Sequence, residues 1–134
     1  MKSSRIVGGY EATPNEFPWM AHLKINFWSG DAANCGGTLI SADHVLTAAH
    51  CLYGAVSVNI TLGVHDVVIS SNLNQIFDVP ASSAFKLHPD WYYGQTENNI
   101  AIVRLPYPVN FNGNDYIQLI IIFGLILIFN LNLM

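Results

Sequence analysis

His50 is the residue of this chain best placed to do chemistry. It lies in Thr47-Ala48-Ala49-His50-Cys51, a run of small residues ending in a cysteine, sixteen positions after Cys35. A neutral imidazole held in one pose can take the proton of a hydroxyl as that hydroxyl attacks a carbonyl, because its ordinary pKa lies near working pH. His22, His44, His65 and His88 lack such surroundings and read as structural or surface residues. Two cysteines are too few to define a framework, and in a cytosolic enzyme they would read as free thiols. No carboxylate cluster with calcium-loop spacing falls between Gly63 and Asp78, so no metal and no cofactor is expected. Lys2, Arg5, Lys24, Lys86 and Arg104 are scattered in a chain of net charge -4, which gives nucleic acid no basic stripe to follow.

A base of this kind needs a rigid frame, and the sequence around His50 reads as strands. Residues 55–63 are rich in β-branched side chains and partly alternate apolar with polar, the pattern of a half-buried strand. Residues 18–28, 35–41, 45–48, 76–79, 85–87 and 100–105 read as further short strands. Turn residues separate them at Ser29-Gly30-Asp31, Gly54, Ser70-Ser71-Asn72, His88-Pro89-Asp90 and Pro106-Tyr107-Pro108. Neither heptads nor internal repeats occur. The natural reading is a six-stranded antiparallel barrel with one helical turn over 48–52. Trp19, Trp28 and Trp91 read as core or rim aromatics.

Three motifs in fixed order carry a family resemblance: Arg5-Ile6-Val7-Gly8-Gly9, Cys35-Gly36-Gly37-Thr38-Leu39-Ile40-Ser41, and His44-Val45-Leu46-Thr47-Ala48-Ala49-His50-Cys51. With 55–63 and 100–105 following in sequence, the chain resembles the amino-terminal half of a trypsin/chymotrypsin-like serine protease from residue 4 or 5 to about 118. Tyr10-Glu11-Ala12 and Ala55-Val56-Ser57-Val58 look most like arthropod chymotrypsin/collagenase-like digestive proteases. The resemblance implies an all-β fold: the first of the two antiparallel six-stranded β-barrels of the chymotrypsin-like fold, incomplete, over residues 6–116.

The same resemblance implies a serine-type endopeptidase in which His50 is the general base. It pairs Cys35 with Cys51, a loop closure contributing about 3 kcal/mol on the chain-entropy estimate. Such a bond implies an oxidising compartment, hence a secreted protein. Residues 1–5 hold no apolar run of the signal-peptide kind, which leaves another export route or an amino terminus beyond this sequence. They read as the end of a propeptide, with Arg5-Ile6 as a zymogen activation bond. Implied partners are protein or peptide substrates, protease inhibitors and a second barrel; none is nucleic acid or membrane.

Two departures limit that activity. The family's buried carboxylate precedes an apolar strand and holds the imidazole in one tautomer. Here Glu97-Asn98-Asn99-Ile100-Ala101-Ile102-Val103-Arg104-Leu105 puts Asn99 at that position. Backbone donors nearby would favour its amide oxygen, turning the NH₂ toward the ring and selecting the wrong tautomer, and the family geometry does not place Glu97 under the histidine. Second, no Gly-Asp-Ser-Gly-Gly segment is present, and Ser41 and Ser82-Ser83 read as turn or strand serines. The resulting expectation is a truncated, inactive member of a proteolytic family. The alternative is a non-catalytic homologue kept as a binding module.

Residues 117–134 are uncharged and almost wholly aliphatic. As a membrane helix the run is short, carries Gln118, Asn130 and Asn132, and lacks flanking Lys or Arg. As a barrel strand it is too long and does not alternate. It reads instead as an apolar tail foreign to the family, AT-rich non-coding sequence translated past an exon end; transcript sequencing across Asn114 to Phe123 tests this.

Overall fold

A computed structural model describes residues 8–68, 74–112 and 117–120, the Ser83 side chain excepted. Seven strands form one antiparallel sheet: β1 (Met20–Phe27), β2 (Ala32–Ser41), β3 (His44–Thr47), β4 (Ala55–Leu62), β5 (Gln75–Pro80), β6 (Phe85–Leu87) and β7 (Ala101–Arg104). Helical turns α1 (Ala49–Leu52) and α2 (Ala81–Ala84) follow β3 and β5. Pairing runs in the order β5-β4-β1-β2-β3-β7-β6.

The edge strands β5 and β6 are consecutive in the chain, joined only by α2. Laid flat, seven strands would put those edges roughly 29 Å apart at a spacing of about 4.8 Å. Four linking residues reach about 18 Å at full stretch. The sheet therefore curls until one helical turn bridges its edges, which is the expected barrel. The seven strands correspond to the seven runs read from the sequence, one more than the six-stranded count, because α2 separates β5 from β6. Pro80 has no N–H to donate to the ladder, so pairing with β4 ends there and the chain turns.

Alternation builds the interior. Ala21, Leu23 and Ile25 of β1, Val58, Ile60 and Leu62 of β4, and Phe77 and Val79 of β5 all point into one core. β7 breaks the alternation, since Ala101, Ile102 and Val103 are all buried. Ala101 and Val103 join the main core, while Ile102 packs on the other face with Ile40 and with half-buried Leu46, Ile100 and Ile120. The continuous apolar run of β7 thus reflects cover on both faces.

Part of that cover comes from the start of the apolar run. Ile117 is buried in the main core, Gln118 N–H donates to the Pro18 carbonyl at 2.9 Å, and Ile120 N–H donates to the Leu39 carbonyl at 3.0 Å. Residues 121–134, and with them the rest of the tail reading, lie outside the described residues. Among the described residues no helix is long and apolar enough to cross a membrane. Trp91 is buried, whereas Trp28 is 91% exposed.

Candidate active site

The frame beneath His50 begins at Gly37. A Cβ there would lie 2.9 Å from the Leu46 carbonyl oxygen, from Leu23 Cδ1 and from Val45 Cγ1, so only glycine lets β2 approach β3 this closely. Buried Thr47, the last residue of β3, donates its hydroxyl to the Gly36 carbonyl at 2.8 Å. The chain then makes the single turn α1, where Tyr53 N–H donates to the Ala49 carbonyl at 3.1 Å. Ala49 is fully buried and Cys51 nearly so, which leaves His50 between them facing solvent. The Cys35–Cys51 disulfide, with Cα atoms 6.4 Å apart, ties α1 to β2.

Asn99 arrives from the other end of the sequence. β3 pairs with β7, Thr47 opposite Ala101, so the residues just before β7 fall beside α1. Asn98 adopts φ 56°, a left-handed conformation that asparagine tolerates better than most side chains, and the turn is closed by Ile100 N–H donating to the Asn98 carbonyl at 2.7 Å. This delivers the Asn99 amide against His50. The backbone N–H of His50 donates to Asn99 Oδ1 at 2.9 Å, and Asn99 Nδ2 lies 2.8 Å from His50 Nδ1.

Those two contacts fix the tautomer. A backbone N–H can only donate, so the amide must present its oxygen there and its NH₂ to the ring. Nδ1 then accepts, and the proton of the neutral ring sits on Nε2. That Nε2–H faces Cys51 Sγ at 3.6 Å, a weak acceptor. Glu97 is exposed, and the place against Nδ1 is taken by the Asn99 amide.

An open hollow of ≈ 420 Å³ lies beside this pair, and its lining includes Met20, Gly36, Gly37, Thr47, Ala48 and Asn99. Beyond α1, Tyr53 stacks on Tyr93 with ring centroids 4.8 Å apart and meets Trp91 edge-on at 5.7 Å. Neither the hollow nor the aromatic group was legible from local patterns, since each joins segments far apart in the chain. The His50 backbone N–H as the anchor of residue 99 was likewise foreseeable only in kind.

Other groups of reactive type are accounted for structurally. Ligand atoms of Cys35, His50 and Cys51 lie within 4.8 Å of one another, but both sulfurs are in the disulfide and offer no thiolate. Ser41 Oγ and Asp43 Oδ1 approach His44 at 2.9 and 2.8 Å, yet both meet the same nitrogen, Nδ1. A ring gripped at one nitrogen by both partners cannot pass a proton from one to the other through its second nitrogen. His22 meets Asn34, His65 meets Glu11, and His88 Nδ1 accepts from Asp90 N–H. Arg5 and Ile6, the expected activation bond, lie outside the described residues.

Comparison with known proteins adds sequence-wide support. A family model described as Trypsin matches residues 6–120. Brachyurin of Leptuca pugilator is 41% identical over 104 residues, covering 78% of this chain and 43% of that protein. Cathepsin G of Mus musculus is 38% identical over 104 residues, covering 78% and 38%. Chymotrypsin-C of Bos taurus is 34% identical over 106 residues, covering 77% and 38%. Among solved structures, GrC superposes with a TM-score of 0.76 at 30% identity, covering 86% of this chain and 48% of that one. HL collagenase does so with a TM-score of 0.71 at 32% identity, covering 87% and 46%. The chain spans about two fifths of the length of the curated relatives it matches.

Proposed function

Because the chain belongs to the trypsin family of serine proteases, its amino-terminal half, we propose that it carries the base of a serine endopeptidase centre in a form that does not support hydrolysis. In this reading His50 is the general base and Asn99 stands where the family has its orienting acid. The observation that carries it is the 2.8 Å approach of Asn99 Nδ2 to His50 Nδ1. A base must present a free lone pair to the attacking hydroxyl, and the orienting group must accept from the opposite nitrogen. An amide donor there reverses both requirements. For this family the Asp-to-Asn change at that position is known to lower turnover about 10⁴-fold, or about 5.4 kcal/mol of transition-state stabilisation.

The finer parts of the reading rest on family likeness. The finer likeness, to arthropod chymotrypsin/collagenase-like digestive proteases, is supported by the 34% identity to chymotrypsin-C and the superposition on HL collagenase at 32% identity. A secreted protein is supported by the Cys35–Cys51 disulfide. Zymogen activation at Arg5-Ile6, protein or peptide substrates, protease inhibitors as ligands, and a second barrel as structural partner complete the proposal. Within the 134 residues no serine stands in a Gly-Asp-Ser-Gly-Gly setting.

Asn99 also favours a second reading, a non-catalytic homologue that keeps the fold as a binding module. One experiment addresses both. The purified chain, treated with a fluorophosphonate probe, is expected to show no more labelling than His50→Ala; labelling above that control overturns the inactive reading. Calorimetric titration with a protein protease inhibitor then separates the alternatives, because saturable heat without labelling supports the binding module.

A further inference from the structure

We propose that Asn59 is an acceptor for an N-linked oligosaccharide, an inference that rests on the reading of this chain as an exported protein. Asn59-Ile60-Thr61 is the single Asn-x-Ser/Thr triplet without proline in the 134 residues. A glycan on such a triplet is accommodated only where the asparagine side chain reaches solvent in the finished fold. The register of β4 meets that condition. Val58, Ile60 and Leu62 are fully buried in the core, so Ser57, Asn59 and Thr61 alternate to the outer face, where they are half-buried. Lys24 on β1 and Asp78 on β5 flank Asn59 across the sheet, giving that face a polar character.

The hydrogen bonds of the Asn59 amide are compatible with the modification. Its Oδ1 accepts from Asn26 Nδ2 at 2.8 Å, and its Nδ2 donates to Asp78 Oδ1. Nδ2 carries two hydrogens. A glycan replaces one of them and leaves the other for Asp78, so both contacts persist and no buried polar group loses its partner. β4 stands three strands from β3 in the sheet order, so sugar on its outer face does not depend on the state of His50 or Asn99.

The transfer balances without redox chemistry. Nδ2 attacks C1 of the first sugar of an oligosaccharide linked to a polyprenyl pyrophosphate. The C1–Nδ2 bond forms, the C1–O bond to pyrophosphate breaks, Nδ2 gives up one proton, and the polyprenyl pyrophosphate leaves.

The test expresses the full 134-residue chain behind a cleavable secretory leader in insect cells, sampling both cell extract and medium. Acceptor modification precedes folding, so a poorly folded product still reports. Treatment with peptide:N-glycosidase F is expected to release one glycan and convert residue 59 to Asp, read by peptide mass spectrometry. Thr61→Ser is expected to retain the glycan, whereas Thr61→Ala and Asn59→Gln lose it. A leader-cleaved chain with the Cys35–Cys51 bond formed and an unmodified Asn59 overturns the acceptor assignment. A glycan on Asn59 in a chain whose two cysteines remain reduced supports the assignment and counts instead against the export reading.

Discussion

Asp and Asn differ at one terminal atom, yet at position 99 two nitrogens converge on that terminus: the peptide N–H of His50 and the ring Nδ1. A carboxylate accepts from both. An amide accepts from one and must donate to the other, and the peptide N–H takes the oxygen because it has no alternative role. The neutral ring of His50 is therefore expected to carry its proton on Nε2, and Asn99→Asp is expected to move it to Nδ1. Long-range ¹H–¹⁵N NMR of the histidine ring distinguishes the two forms; an unchanged tautomer in the variant would refute the orientation given for Asn99.

Between the residues and the barrel stand the elements that aim them. Gly37 sets the approach of β2 to β3, and with it the height of α1 over the sheet. Its three contacts at 2.9 Å include the backbone carbonyl of Leu46, which cannot rotate away. Gly37→Ala is thus expected to destabilise the fold by about 1–3 kcal/mol, the usual cost of overpacking. The midpoint of urea unfolding measures it, and an unshifted midpoint would show that β2 and β3 separate freely. The strands themselves were legible in the sequence, because 55–63 alternates and 45–48 and 100–105 are apolar runs bounded by turns. The meeting of residue 99 with His50 could be anticipated from its place two residues before β7, which pairs with β3. The separation of β5 from β6 was legible too, as the two runs 76–79 and 85–87, but the helical turn of Ala81, Ser82, Ser83 and Ala84 between them was not, because it carries no apolar periodicity. Also hidden was the packing of Ile120, which depends on a face formed by β2, β3 and β7 that exists only once they pair.

For the molecule as a whole, the segment 117–120 belongs to the packed body. Ile117 is almost fully buried in the main core, and Ile120 rests with Ile40 and Ile102 on the second face. Ile117→Ala is expected to cost about 2–5 kcal/mol, the range for emptying a buried aliphatic site. Equilibrium denaturation checks this, and a loss below 1 kcal/mol would mean that the core closes without it. The pairing of β3 with β7 also has a consequence during synthesis. Thr47 leaves the ribosome well before Ala101, its partner across the sheet. At about 5–20 residues per second, β3 waits roughly 3–11 s with one edge unpaired. Cys51 follows Thr47 by four residues, so Cys35 and Cys51 are both available for most of that interval and their bond can fix α1 on β2 before β7 arrives. The half of the site that holds His50 can thus be assembled and covalently locked first, and Asn99 docks afterwards onto a surface already in place.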